Sequence, residues 1–228
     1  MSVRISIWLR GILFAAGVAL FGPPVMAEPV TYTFTGVVTS VTNGSNGTLN
    51  LTRVFANGQS TVFSITVERD IQGIFDGAFG TTVYLSPIYS WTFSIGPYVC
   101  PLGPNGITEI WVGNDRPPPP PLNPAGLAGS VVDFYYVDIS SPNGPTLTVE
   151  NWRSRYLIFQ LIDQEAAVFA DELQPRMMPD VSEFETATWN LSFTDEATNR
   201  WGKVAGTFNT VATPATVSTW GRLKAAYK

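Results

Sequence analysis

Residues 30–42 read VTYTFTGVVTSVT, and this stretch decides the fold class. Val30, Tyr32 and Phe34 point to one side of an extended chain, while the threonines between them point to the other. An alternation with a period of two residues is typical of a strand with one face in a core and the other in solvent. The stretch therefore predicts a half-buried β-strand.

A glycine interrupts the alternation in the middle of this strand. After Gly36 the more apolar row becomes Val37 and Val41, and Val38 falls on the other side. A change of face by one residue at a glycine is typical of a β-bulge. We therefore predict that the strand bends at Gly36 and contributes to both sheets of a sandwich.

The same strand pattern recurs along the chain between short turn signals. The runs are rich in Thr, Val, Phe, Tyr and Trp, which favour strands, and Asn-Gly pairs between several of them favour tight hairpins. The predicted strands are 30–42, 48–55, 61–69, 81–95, 107–113, 130–139, 146–162, 185–194 and 202–212. Nine short strands without helical periodicity predict an all-β fold, an antiparallel two-sheet β-sandwich of the jelly-roll kind.

Two segments depart from the strand pattern. Residues 116–124, RPPPPPLNP, contain five consecutive prolines and cannot join a sheet. We predict a stiff loop that crosses between the sheets; a linker and a ligand for an SH3-like groove are the alternatives. In the tail, 215–228, Trp220, Leu223 and Tyr227 share one face of a short C-terminal helix. That face either docks on the domain or acts as a retention signal.

The amino terminus has the features of a secretory signal peptide. Arg4 and Arg10 precede the apolar segment 11–21, and small or apolar residues then lead to a cleavage site between Ala27 and Glu28. The apolar segment is shorter than the about 20 residues that a membrane-spanning helix needs. We predict export to the periplasm, cell surface or medium, with a signal peptide at 1–27, a β-sandwich domain at 28–214 and no stable membrane span afterwards.

Charge and missing residue types exclude several functions. Without Arg4 and Arg10, 11 basic residues stand against 18 acidic ones, a net charge of −7, and no cluster of Lys or Arg favours nucleic acid as a partner. The chain has no histidine, which excludes Ser-His-Asp and Cys-His catalysis and imidazole ligands for metals. Cys100 is the only cysteine and is predicted to be a small buried residue.

Aromatic residues beside carboxylates are the candidate site. Strand alternation places Trp91 and Trp189 in the core but leaves two aromatic–carboxylate pairs on the outer face. Residues 130–139 are ambiguous, and a third pair faces outward there if the more apolar row, Val132, Phe134 and Tyr136, faces the core. An aromatic ring can stack on the apolar face of a sugar while a carboxylate accepts hydroxyl hydrogens. The candidate ligand-binding residues are Glu109 with Trp111, Asp133 with Tyr135, and Glu150 with Trp152.

Catalysis and metal binding are weaker alternatives. A glycan hydrolase needs two carboxylates flanking the scissile bond, and Glu109 with Glu150 could form such a pair. No catalytic motif surrounds them, so we predict that the protein is not an enzyme. No cofactor is predicted either, although Asp70 with Asp76, or Asp163 with Glu165, could hold a structural calcium ion between strands.

Several phrases of the sequence resemble a known class of exported proteins. PVTYTFTGVVTSV after the signal, TVFSITVERD, VFADELQPRMMPDVSEFETATWNLSFTD and KVAGTFNTV are similar to segments of secreted bacterial β-rich proteins of the PEP-CTERM (exosortase-sorted) type. The chain departs from them at its end, ATPATVSTWGRLKAAYK, which lacks the Val-Pro-Glu-Pro element and the hydrophobic span. The resemblance implies an envelope or extracellular-matrix setting and no particular reaction. In that setting we expect a binding or structural protein, which either contacts polysaccharide through the outward aromatic residues or has no small-molecule ligand.

Overall fold

The structure is a computed structural model of the chain. It describes residues 29–43, 51–67, 72–76, 81–85, 88–100, 108–116, 131–140, 152–169, 181–195 and 200–210. The predicted signal peptide with its cleavage site at Ala27 and Glu28, the prolines of the crossing loop and the tail at 215–228 lie outside these ranges, and so does the predicted C-terminal helix.

Eleven antiparallel strands form one curled sheet. They are β1 (Val30–Thr42), β2 (Ser60–Val67), β3 (Ile74–Asp76), β4 (Thr81–Leu85), β5 (Ile88–Ile95), β6 (Tyr98–Cys100), β7 (Thr108–Arg116), β8 (Val132–Ser140), β9 (Trp152–Asp163), β10 (Thr186–Asp195) and β11 (Arg200–Thr210). Their order in the sheet is β3-β4-β7-β8-β9-β10-β11-β1-β2-β5-β6. The all-β, antiparallel part of the prediction is confirmed, but the strands are hydrogen-bonded in one continuous series instead of two separate sheets. Within the described ranges, no helix is long and apolar enough to cross a membrane.

The sheet curls because its inner face carries a nearly continuous apolar surface, which is buried most fully when strands far apart in the sheet meet. The rings of Phe34 and Phe159 approach to 4.9 Å between centroids, although two strands separate β1 from β9. Tyr98, on the edge strand β6, lies 5.7 Å from Phe193 of β10. Trp91 and Trp189 are buried in this main core, as predicted.

The irregularity predicted near Gly36 exists, but it has a different form. Between β1 and β11 the register shifts at Gly36, and the unpaired residue is Asn209 of β11. The inner row of β1 continues to Val38, which is buried, and the face changes only at Thr39. The prediction that β1 changes face at Gly36 was wrong, because the extra residue belongs to the partner strand.

Strand β8 is buried on both faces. On the inner side, Tyr135, Val137 and Ile139 belong to the main core. On the outer side a second apolar cluster contains Val132, Phe134, Tyr136 and Ile162, with Trp111 and Ile158 packed against it. The sheet therefore has one outer region that is covered, around β8, and others that face solvent.

Candidate functional site

A β-bulge in β9 moves one predicted site residue into the core. Opposite β10, Ser192 pairs with Tyr156 and Phe193 pairs with Ser154, so Arg155 is the extra residue of the bulge. The extra residue reverses the faces of everything before it. Trp152 is therefore 1% exposed in the main core, and the prediction that it faces outward beside Trp111 was wrong.

Tyr135 and Asp133 are also buried, at 1% and 0% exposure. Tyr135 points into the main core, where burial together with Tyr32 and Tyr84 raises its pKa well above the usual value. The outward orientation predicted for these two residues was wrong. Their row of β8 belongs to the main core, and the opposite row, with Phe134 and Tyr136, is buried in the second cluster. Glu150, the remaining carboxylate predicted there, lies outside the described residues.

Asp133 holds the end of strand β7 and the loop after β9. Its Oδ1 accepts a hydrogen bond from the N–H of Asp115 at 2.9 Å, and its Oδ2 accepts one from the N–H of Phe169 at 2.8 Å. Asp115 has a positive φ of 52°, an unusual backbone conformation for a non-glycine residue. A buried carboxylate needs such partners, so Asp133 stabilises the fold and does not form a binding surface.

Asp163, the cross-strand partner of Asp133, has the same function. Its oxygens accept hydrogen bonds from the N–H groups of Glu165, Ala167 and Val168 at 2.7–3.1 Å. Burial disfavours the charged carboxylate, but these backbone donors outweigh that effect, so the pKa of Asp163 lies below its usual value. The predicted calcium site at Asp163 and Glu165 receives no support from this arrangement, because N–H donors occupy the lone pairs that a cation would need. Asp70 lies outside the described ranges, within which no group of three or more acidic or cysteine side chains is arranged to hold a metal.

Glu109 and Trp111 lie together on the outer face of β7, as the alternation with buried Ile110 and Val112 predicted. The indole N–H of Trp111 donates a hydrogen bond to Glu109 Oε2 at 3.0 Å. Trp111 is half-buried because its ring packs against the second cluster. This ring is therefore only partly available to a ligand.

The fold places a second carboxylate beside Glu109. Asp138 of β8 is its cross-strand partner, and Oδ1 of Asp138 is buried without a hydrogen-bond partner among the described residues. Burial and the charge of Glu109 raise the pKa of Asp138 to about 6. The sequence did not indicate this pair, because β7 and β8 are joined by a long connection whose register is not encoded locally.

Two exposed aromatic residues form the clearest candidate platform. Tyr156 is 42% exposed and Trp201 is 49% exposed. Their rings are nearly parallel, at 15°, with centroids 6.0 Å apart, although one lies on β9 and the other on β11. Sequence reasoning missed this pair. Alternation from buried Leu157 and Val204 would have placed each ring outward, but only the register shows that they meet.

Two cross-strand rows on the outer face contain these rings, and we call their six residues the outer-face array; one of the six, Thr194, is itself buried at 4% exposure. One row contains Arg153, Thr194 and Trp201, and the next contains Tyr156, Ser192 and Lys203. The second row extends across five strands as Ser140, Tyr156, Ser192, Lys203 and Thr42. With strands about 4.8 Å apart, this row is about 19 Å long. The two aromatic rings therefore lie on one diagonal of the array, and Arg153 and Lys203 lie on the other.

Comparison of the chain with models of protein families, with curated proteins and with solved structures found no match.

Proposed function

We propose that this protein is an exported envelope or extracellular-matrix protein that binds polysaccharide through the outer-face array. The observation that carries the proposal is the pair of exposed, nearly parallel rings of Tyr156 and Trp201. Solvent-exposed aromatic faces suit the apolar face of a sugar ring, and their edges remain in water beside polar groups. The binding surface is therefore formed by Tyr156 and Trp201, and not by the aromatic–carboxylate pairs predicted from the sequence.

The surroundings of the rings favour a saccharide over an apolar ligand. Ser140, Ser192 and Thr42 place hydroxyl groups along the row that contains Tyr156 and Lys203. Hydroxyl and ammonium groups at strand spacing can exchange hydrogen bonds with several sugar hydroxyls at once. A row about 19 Å long also suits an extended polymer better than a single small molecule.

The proposal is tested by removing one ring at a time. We expect Trp201→Ala and Tyr156→Ala each to weaken binding to an extracellular polysaccharide by roughly tenfold, because each change removes a stacking surface. Binding is measured by depletion of the protein from solution on insoluble polysaccharide.

The matched control is Phe75→Ala, which removes an aromatic side chain that is 59% exposed on the edge strand β3. This variant should bind as the unchanged protein does. A site at the outer-face array would be contradicted if Trp201→Ala and Tyr156→Ala bound the polysaccharide as well as Phe75→Ala does. It would also be contradicted if Phe75→Ala lost as much affinity as the other two variants. Thermal unfolding of each variant separates lost binding from lost structure.

A second candidate function is carboxylate-based glycan hydrolysis, and the Glu109–Asp138 pair is the observation that favours it. A carboxyl group with a pKa of about 6 beside a second carboxylate is suited to donating a proton to a leaving group. Release of reducing sugar that is abolished in Asp138→Asn would support this function. Absence of release by the unchanged protein would leave binding as the function.

Export and a two-layered arrangement of the sheet belong to the same proposal. The signal peptide predicted at 1–27 and the resemblance to PEP-CTERM proteins support export, and a purely structural role on the cell surface is the alternative if no polysaccharide binds. Contacts across the core, such as Phe93 against Trp189 at 4.9 Å, support a sandwich-like arrangement in which the halves of the sheet act as two layers.

A further inference from the structure

We propose that the polysaccharide bound at the outer-face array is anionic, with carboxylate groups on its sugars. This inference rests on the proposed function and names its substrate class. The array has an aromatic pair on one diagonal and two cations, Arg153 and Lys203, on the other. A ligand that combines a ring with a negative charge, such as a uronic acid, complements both diagonals.

The fold concentrates positive charge here although the sequence contains no basic cluster. Of the six basic residues in the described ranges, Arg153 and Lys203 lie on the outer face within the array, and Arg155 is in the bulge beside Tyr156. Arg200 is on the opposite face, across from Asp195. The side chains of Arg153 and Lys203 are exposed. None of the six positions of the array carries an acidic residue, and the flanking residues Ser140 and Thr42 are neutral as well.

The negative charge of the rest of the molecule restricts the binding of an anionic polymer to the array. Beyond residue 27 the chain has 18 acidic and 11 basic residues, so an anionic polymer is repelled by most of the protein and attracted at the array. Nucleic acid carries one charge per about 3.4 Å of each strand. A net charge of −7 opposes such a densely charged polymer more strongly than a polysaccharide with fewer charges along its length.

The experiment compares two polymers that differ only in charge. The probes are polygalacturonate and the same polymer after reduction of its carboxyl groups, and binding is measured at low and high salt. We expect Lys203→Gln to weaken polygalacturonate binding by roughly threefold and Lys203→Gln with Arg153→Gln by roughly tenfold. Binding of the reduced polymer should weaken by less than about twofold in both variants, because Gln loses the charge but can still hydrogen-bond to sugar hydroxyls. Arg116→Gln should change neither, because it removes an exposed charge at the end of β7, which pairs with the start of β8 and lies far along the sheet from Arg153.

The outcomes separate this inference from the proposed function. If both polymers bind equally, Trp201→Ala weakens both, and the charge variants have no effect, the ligand is a neutral polysaccharide and the anionic assignment is overturned. If neither polymer binds and other neutral polysaccharides also fail, the proposed function is overturned as well. Tighter binding to single-stranded nucleic acid of equal length, lost in Lys203→Gln, would replace the polysaccharide assignment.

Discussion

At the scale of single residues, hydrogen-bond donors decide what a buried carboxylate does. Asp163 accepts three backbone N–H groups, which lowers its pKa despite burial. Asp138 has a buried oxygen without a partner among the described residues and a carboxylate beside it, which raises its pKa to about 6. Asp163 stabilises its loop in the charged form, whereas the folded protein is more stable when Asp138 is protonated.

This difference predicts the effect of pH on stability through Asp138. Its pKa is higher in the folded state than in the unfolded chain, so the folded state holds an extra proton between about pH 4 and pH 6. The contribution of Asp138 to stability is therefore present at acidic pH and is lost as the pH rises through about 6. We expect Asp138→Asn to raise the free energy of unfolding at pH 8 by about 1–2 kcal/mol, after allowance for partial exposure, and to have little effect at pH 4. Urea unfolding at the two pH values measures this.

Asp163→Asn is the matched comparison for that experiment. The carboxylate of Asp163 only accepts hydrogen bonds, whereas the amide of Asn would place an NH₂ group against the backbone N–H donors of the loop. This variant should therefore destabilise the protein at pH 8. An unchanged pH dependence in Asp138→Asn would show that its carboxyl group is already ionised throughout this range.

At the scale of elements, bulges and close strand contacts control which side chains face the core. The extra residue Arg155 turns Trp152 inward, and the shifts at Asn209 and Thr39 set the faces of β11 and β1. Where β11 passes between β1 and β10, Gly206 lies against both neighbours. A Cβ atom there would collide with the carbonyl oxygen of Val37 and with the indole of Trp189.

Gly206→Ala tests this three-strand contact. We expect a loss of about 2–3 kcal/mol of unfolding free energy, because the carbonyl of β1 cannot move without breaking the pairing and the indole is fixed in the core. Chemical denaturation measures the loss. Thr207→Ala, at the next residue on the outer face, should change the free energy by less than about 0.5 kcal/mol. A Gly206→Ala variant as stable as this control would mean that the strands can separate locally.

At the scale of the whole molecule, the curl of the sheet brings the edge strand β6 into contact with β9 and β10 in the middle of the sheet. Cys100 of the edge strand β6 is fully buried, and its Sγ lies 3.9 Å from Oγ of Ser154 on β9. Burial raises the pKa of this thiol to about 11, which disfavours the reactive thiolate. The reactivity of Cys100 therefore reports whether the curled sheet is closed.

We predict that Cys100 reacts with a maleimide at least about a thousandfold more slowly in the folded protein than in the unfolded chain, because the sheet must open before the thiol is exposed. Mass spectrometry after timed exposure measures the rate. Trp201→Ala, which changes only the outer face, should leave the rate unchanged. A folded-state rate within tenfold of the unfolded rate would show that β6 detaches on its own.

Local alternation explains what could be predicted. The rows that contain Trp91, Trp189 and Ile110 were assigned correctly, because a side chain's face depends only on its neighbours within an uninterrupted strand. The same reasoning placed Glu109 and Trp111 outward. It failed for Trp152, where a single extra residue reversed the faces, since no residue type near Arg155 marks the bulge.

The sequence by itself determined the all-β class, the antiparallel strands and most of the apolar core, because these follow from residue type and a period of two. Only the tertiary structure decided that the strands form one curled sheet, that Asp138 meets Glu109, and that Tyr156 meets Trp201 between two cations. Tyr156 and Trp201 are brought together by the registers of β9, β10 and β11. Register is set by packing of the whole core, so no local pattern could show that these side chains share a surface.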